Sequence, residues 1–246
     1  MSVYIHGGLR TPVGVLNGQY RNMRPEMLGA QLIDELIKRY DISQVDGIFC
    51  GNAVGTGGNI GRLMGLMTNL PNSVPAITVD MQCASALMSI EMAYAHIASG
   101  VMDSAIAGGI ESSSLQPDRM YAAGDDREGL YKVAQFSPQD CSPLAMLEGA
   151  ERTIQKYNVV KEDLYPYIIG SHKRASEALN NPHLKSYIMP ITIDGKACVD
   201  ECIRPKMNEK LLSRMKPLLG PNAITNAGNA CLTHDGAAFV YVSNEK

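Results

Sequence analysis

The sequence lacks the patterns that would direct the chain into a membrane or out of the cell. It contains no run of about 18 consecutive apolar residues, which is the length that a membrane-spanning helix needs. Its first residues, Met1-Ser2-Val3-Tyr4, do not begin a positively charged segment followed by an apolar one, so no secretory signal is predicted. We therefore expect a cytoplasmic protein without membrane contacts.

Charge and cysteine spacing argue against two further classes of protein. The 22 Lys and Arg residues are outnumbered by 25 Asp and Glu residues, and no basic run occurs, so no nucleic-acid partner is expected. The six cysteines are scattered through the chain, which is typical of reduced thiols. Cys198 and Cys202 have a C-x3-C spacing, but no second pair or neighbouring histidine completes a metal site. We predict that no metal is bound.

A glycine-rich segment at residues 55–61 partly matches a dinucleotide-binding loop. The G-x-G-x-x-G template, begun at Gly55, meets Ile60 where the third glycine should stand. We therefore do not interpret the segment as a dinucleotide-binding loop, and we expect no permanently bound cofactor.

Short apolar strands alternate with helical segments through the first part of the chain. Strands are predicted at residues 3–7, 46–53, 77–81, 104–107 and 237–243, and helices at 25–40, 61–70 and 83–100. This alternation favours a layered α/β fold with a mixed, mostly parallel five-stranded sheet.

A span of more than a hundred residues interrupts that alternation and is too long to be a loop. Its periodicity predicts helices at residues 143–157, 161–180 and 208–215, with a break or kink at Pro166. The predicted organisation is a core of residues 1–111 and 236–246, and a largely helical inserted loop domain of residues 112–235.

Cys83 is the candidate nucleophile. It follows a predicted strand and lies at the first turn of a predicted helix, where unpaired N–H groups and the helix dipole favour a thiolate. Its neighbours Ala84, Ser85 and Ala86 are small, so that a substrate could approach the sulfur closely. The apolar residues of the following helix predict that this helix is substantially buried. The alternative interpretation of Cys83 is a packed core cysteine.

Several segments form a joint pattern along nearly the whole chain: residues 10–14 (RTPVG), 80–87 (DMQCASAL), 107–112 (AGGIES), 200–204 (DECIR) and 226–238 (NAGNACLTHDGAA). Together they resemble the thiolase family, in the family's order. The resemblance covers the N-terminal half of that family, and it implies the N-terminal half of a thiolase-like fold. The inserted domain would then lie on the side that binds coenzyme A (CoA).

The resemblance implies an acyl-CoA acyltransferase, similar to an acetyl-CoA C-acetyltransferase, that works through a cysteine thioester in Claisen condensation or thiolysis. Acyl-CoA would be the substrate. The implied roles are acylation at Cys83 and CoA binding at Arg204, Ala227, Gly228, Cys231 and Met146.

Four departures from the family pattern bear on the substrate. Ala86 stands where the family commonly has glycine, and its methyl group could narrow the acyl pocket. Cys231 replaces a serine that contacts the pantetheine arm, and His234 replaces an asparagine. Residues 145–151 (AMLEGAE) replace the family's histidine and its MG-x-TAE segment.

The family's second half supplies an NEAF-type asparagine, a GHP histidine and a C-x-G cysteine, and none of these motifs occurs in this sequence. No convincing base is therefore predicted, since each of the five histidines is interpreted as a satisfied core or surface residue. The expected partners are a second copy, in a homodimer or homotetramer, or a C-terminal thiolase half. The alternatives are a non-catalytic acyl-CoA-binding or dimerising fragment, and a neighbouring synthase branch of the same superfamily.

Overall fold

The structure is a computed structural model, and it describes residues 2–55, 57–135, 137–138 and 142–244. In chain order its elements are β1 (Tyr4–Arg10), β2 (Gly14–Val15), α1 (Pro25–Arg39), β3 (Ile48–Gly51), α2 (Ile60–Gly65), β4 (Ala76–Val79), α3 (Ser85–Ala98), β5 (Ser104–Ser112), β6 (Arg119–Met120), β7 (Leu130–Tyr131), α4 (Ala145–Lys156), α5 (Lys161–Leu179), α6 (Pro182–Lys185), β8 (Thr192–Ile193), β9 (Lys196–Ala197), α7 (Glu209–Ser213) and β10 (His234–Ser243).

The chain divides into two compact units. Unit 1 comprises Met1–Pro117, Ser186–Glu201 and Thr233–Lys246, and unit 2 comprises Asp118–Lys185 and Cys202–Leu232. The predicted division instead placed residues 186–201 in the insertion. These residues group with the sheet because their backbone bonds to its first strand, as in the 2.8 Å bond from Met189 N to Arg10 O.

Unit 1 is built on a mixed sheet with the strand order β1-β10-β5-β3-β4, and the short β2 pairs with β10 as a sixth strand. The pairs β3–β4 and β3–β5 are parallel, whereas β10 is antiparallel to both β1 and β5. Four of the five strands along this path therefore run in the same direction. The predicted mixed, mostly parallel α/β sheet is confirmed.

Helices α1 and α3 cover opposite faces of this sheet, because alternate residues of a strand point to opposite sides. Ile106 of β5 packs with α1 residues such as Leu32 and Leu36, whereas Ala105 and Ala107 pack with α3. Each fully buried leucine or isoleucine contributes roughly 1.5–3 kcal/mol to folding. Pro25 begins α1 at the predicted residue, because its fixed φ angle suits the first helical position.

Helix α3 is less buried than its sequence predicts. Its buried residues form a stripe one residue wide, at i, i+4 spacing: Ser85, Ser89, Ala93 and Ile97. Leu87 and Tyr94 are exposed by 68% and 55%. The prediction that this helix is substantially buried is therefore wrong, since only one narrow stripe of α3 faces the sheet.

Unit 2 is largely helical, as predicted. Its small core joins Tyr165 of α5 to Met207 and to Leu212 of α7. The prediction at Pro166 was a break or a kink. Helix α5 continues through Pro166, so the break is absent, and the kink stays a prediction. Residues 119–131 contain a short antiparallel hairpin, β6–β7, which the sequence analysis did not predict.

Candidate active site

Cys83 lies in a tight turn between β4 and α3. Gln82, the residue before it, has a φ of 53°, in the left-handed region that residues with a side chain seldom adopt. The turn is held locally: Asp80 Oδ1 accepts a 2.9 Å bond from Gln82 N, and Ser85 Oγ accepts a 2.8 Å bond from Met81 N. Ser85 Oγ also donates to Gln82 O at 2.6 Å. A strained residue fixed by its surroundings is a common feature of functional sites.

The Cys83 thiol is free and exposed. Helix α3 begins at Ser85 with Ala84 as its N-cap, so Cys83 precedes the first helical turn rather than lying in it. Within the described part of unit 1, no side chain hydrogen-bonds to its sulfur. The geometry contradicts the packed-cysteine alternative, because a core cysteine would be buried.

Two glycines allow the start of α3 to approach the sheet closely. A Cβ atom on Gly51 would lie 2.5 Å from Ala86 N, and one on Gly109 would lie 3.1 Å from Ala86 Cβ. Gly51 and Gly109 are register partners on β3 and β5. Because any side chain at Gly51 would push the helix away, these glycines position the turn that carries Cys83. The Ala86 methyl group, expected to narrow the acyl pocket, lies over Gly109.

The RTPVG segment meets the two acids of the DECIR segment in unit 1. Arg10 donates two hydrogen bonds of 2.8 Å to the Asp200 carboxylate, which also accepts a 2.7 Å bond from Val13 N. The neighbouring Glu201 carboxylate accepts from Val15 N at 3.0 Å and from Gln19 N. Both acids therefore fix the loop after β1, a structural role that the sequence did not reveal.

The predicted CoA-binding residues all lie in unit 2. Arg204 N donates a 3.2 Å bond to His172 Nδ1, and burial together with the positive charge of Arg204 lowers the pKa of His172. Because Nδ1 is the acceptor, His172 must be neutral to keep this bond.

Ala227 and Gly228 lie in a compact loop. Asn226 Oδ1 accepts a 2.8 Å bond from Gly228 N, and Asn229 Oδ1 accepts a 2.7 Å bond from Asn226 N. A Cβ on Gly228 would lie 2.5 Å from Met215 Sδ, so a side chain there would require Met215 or the loop to shift.

Cys231 is exposed, and Met146 is exposed by 79%. In the part of unit 2 that the structure describes, no hydrogen bond or ion pair joins Arg204 or Met146 to the 226–231 loop. The loop is instead held from α4, where Glu151 accepts bonds from Ile224 N and Thr225 N. Glu151 was not predicted, and its position in the AMLEGAE segment was the signal that could have indicated it.

The environment of His234 differs from the one that the sequence predicted. It lies at the start of β10, and its Nε2 atom is buried without a hydrogen-bond partner among the described residues. It is therefore not a satisfied core histidine. The other four histidines keep their earlier interpretation as predictions.

No helix in residues 2–55, 57–135, 137–138 and 142–244 is long and apolar enough to cross a bilayer. The same residues contain no group of three or more His, Cys, Asp or Glu side chains placed to hold a metal ion. Five cysteines in this part of the chain are free, and Cys141 lies outside it.

Comparison with known proteins places this geometry in a family. Residues 3–246 match the family model described as "Thiolase, N-terminal domain". Proteins named "Putative acetyl-CoA C-acetyltransferase VraB" are 33% identical over 244 residues in Staphylococcus haemolyticus and 32% identical over 243 residues in Staphylococcus epidermidis. Each alignment covers 96% of this chain but only 64% and 63% of the relative.

A solved structure agrees with these matches. The crystal structure of the Bacillus anthracis acetyl-CoA acetyltransferase superposes with a TM-score of 0.86 at 25% identity, covering 99% of this chain and 65% of that protein. The chain thus spans somewhat less than two thirds of the length of these relatives. It belongs to the thiolase family and corresponds to the N-terminal domain of that family.

Proposed function

We propose that the chain carries the nucleophile of a thiolase-type acyl-CoA acyltransferase, with Cys83 forming an acyl thioester. The observation that carries this proposal is the free, exposed Cys83 thiol in a constrained turn ahead of α3. Membership of the thiolase family and the names of the matched relatives, which describe acetyl-CoA C-acetyltransferases, support the same chemistry.

In the proposed acylation, the Cys83 thiolate attacks the carbonyl carbon of acyl-CoA and forms a new carbon–sulfur bond. The carbon–sulfur bond to CoA then breaks, and the CoA thiolate takes up a proton. The negative oxygen of the tetrahedral intermediate needs hydrogen-bond donors, and the Cys83 backbone N–H is the first candidate. The reaction needs no permanent cofactor, because CoA enters and leaves as part of the substrate and product.

We assign CoA binding to Arg204 and to the residues of the 226–231 loop and α4 that stand at the family's CoA-binding positions: Ala227, Gly228, Cys231 and Met146. The guanidinium of Arg204 would bind phosphate or stack on adenine. A neutral His172 supports this assignment, because it fixes the backbone at Arg204 without adding a competing charge.

No acid or base is assigned within the described residues, so we further propose that turnover requires assembly. The exposed Leu87 and Tyr94 on α3 leave apolar surface uncovered, which soluble proteins commonly bury in an interface. A second copy in a homodimer or homotetramer, or a C-terminal thiolase half, would cover it. Light scattering tests this, and a monodisperse monomer would contradict it.

Radiolabelled acetyl-CoA tests the acylation. The labelled acetyl group should be transferred to Cys83, and one CoA should be released for each labelled cysteine. Cys83→Ser should abolish the label, whereas Cys231→Ser, which removes the other exposed thiol among the described cysteines, should retain it. Tight CoA binding without any label would instead support the alternative of a non-catalytic acyl-CoA-binding fragment.

A further inference from the structure

The carboxylate of Glu111 binds the loop that leaves β3. One oxygen, Oε2, accepts hydrogen bonds from Ala53 N at 2.8 Å and from Val54 N at 2.9 Å. The other oxygen, Oε1, accepts from Asn52 Nδ2 at 3.0 Å. Glu111 belongs to the AGGIES segment of β5, yet the proposed chemistry gives it no role.

Asn52 extends this contact to a third strand. Its backbone N–H donates to Val79 O, at the end of β4, at 3.0 Å. Its side-chain Nδ2 donates to Ile110 O on β5 at 2.8 Å. Asn52 and Glu111 together, called here the strand-end pair, therefore join the carboxyl ends of β3, β4 and β5.

The strand-end pair controls both sides of the turn that carries Cys83. Val79, which Asn52 holds, is the last residue of β4 before the turn begins. Gly51, the residue before Asn52, lies directly beneath the backbone of Ser85 and Ala86 at the start of α3. A shift of the β3 exit would therefore move the entry and the exit of the turn together.

We propose that Glu111 and Asn52 are positioning residues that hold the Cys83 turn in its reactive conformation. Neither residue contacts the Cys83 sulfur, so the effect passes through Val79, Gly51 and the strained Gln82. A carboxylate suits this task, because hydrogen bonds to a charged acceptor are about twice as strong as those between neutral groups. The role of the pair in acyl transfer rests on the proposed function, but its effect on the turn does not.

The variant Glu111→Gln tests the proposal, because it keeps the side-chain shape but replaces one acceptor oxygen by a donor. Glu35→Gln is the matched control: it also removes one charge, through the loss of an ion pair with Arg39, but it lies on α1 across the sheet. Both variants are compared with the parent chain in thermal unfolding, amide hydrogen exchange and single-turnover acylation of Cys83.

In Glu111→Gln, we expect hydrogen exchange to accelerate about tenfold or more at residues 52–54 and 80–85, and to stay unchanged in α1. The limiting acylation rate per folded molecule should fall roughly tenfold, while the acetyl-CoA concentration for the half-maximal rate stays constant. This combination is expected when Cys83 loses its orientation but the substrate still binds. Glu35→Gln should match the parent. A purely structural Glu111 would lower the melting temperature and leave the acylation rate of the folded fraction unchanged.

Two results are decisive. Unchanged exchange at residues 80–85 in Glu111→Gln would overturn the proposal, even if residues 52–54 exchange faster. Absence of acylation in the parent chain would defeat the proposed function, while exchange would still decide whether the pair holds the turn. Should Glu111→Gln fail to fold, Asn52→Ala gives the same readouts, because it removes the Nδ2 bonds and keeps the backbone bond to Val79.

Discussion

The ion pair between Arg10 and Asp200 offers the sharpest test of how unit 1 is held together. The Asp200 side chain is only 6% exposed, whereas that of Arg10 is 36% exposed. Two parallel bonds of 2.8 Å join them, and Val13 N adds a third donor to Asp200. Removing either side chain therefore breaks a charge-assisted pair that links the loop after β1 to residues 186–201.

Truncating Asp200 and truncating Arg10 should lower the free energy of unfolding by different amounts. Breaking a fully buried pair by removing one partner costs about 3–5 kcal/mol, and the partial exposure of Arg10 reduces that figure. We expect Asp200→Ala to lower the free energy of unfolding by about 3 kcal/mol, because it also leaves Val13 N without its acceptor. Arg10→Ala should cost about 1–2 kcal/mol, since the buried carboxylate keeps the Val13 bond.

Urea unfolding of the two single variants and the double variant measures the interaction directly. The double-mutant cycle should give a coupling energy of about 1–2 kcal/mol. A coupling below about 0.3 kcal/mol would refute the reasoning, because residues that share no interaction behave additively within that range.

The same pair predicts a dependence on pH. Burial by itself would raise the pKa of Asp200, but the Arg10 and Val13 hydrogen bonds and the charge of Arg10 outweigh it and hold the pKa below its usual value. The pair therefore stabilises the fold at pH values above about 3.9, the ordinary aspartate pKa, and this stability is lost as the pH falls through the lowered pKa. The difference in stability between the parent and the double variant should shrink over that interval.

Three further predictions concern single residues. Tyr165→Phe should leave the stability to urea unchanged or raise it by up to about 1 kcal/mol, because the buried Tyr165 hydroxyl has no partner among the described residues. Gln82→Val should cost about 1–2 kcal/mol, since a β-branched residue resists a left-handed φ, whereas Gln82→Gly should change the stability by less than about 1 kcal/mol. Arg204→Ala should weaken CoA binding, measured by calorimetry, by roughly 1–3 kcal/mol, and the neighbouring Lys206→Ala is the control. An affinity of Arg204→Ala equal to that of the parent chain would remove Arg204 from the site.

The order of strands and helices was predictable because its signals are local. Pro25 begins α1, and alternating small apolar residues mark β5. The position of Cys83 between a strand and a helix followed from the same signals. The exposure of α3 did not, because it depends on Gly51 and Gly109, which let a narrow stripe of the helix approach the sheet. Apolar periodicity alone cannot show how closely a helix will approach its sheet.

Contacts between distant segments could not be predicted from the sequence. Arg10 and Asp200 are separated by 190 positions, and the AGGIES acid Glu111 bonds to a loop 58 positions earlier. The DECIR segment drew attention to Arg204 as a CoA ligand, and the resemblance assigned no partner to the acids before it. Only the folded arrangement shows that Asp200 and Glu201 bind the backbone of the loop after β1.

These acids share one physical task. Loops lack the regular ladders that satisfy backbone N–H groups, and an unpaired N–H that is removed from water destabilises the fold. Glu111, Glu151 and Glu201 each accept hydrogen bonds from two or more such groups, at residues 53 and 54, 224 and 225, and 15 and 19, respectively, and Asp200 accepts from one, at Val13. The acids in the thiolase-like segments therefore orient loops, and Cys83 stays the nucleophile that we propose for acyl transfer.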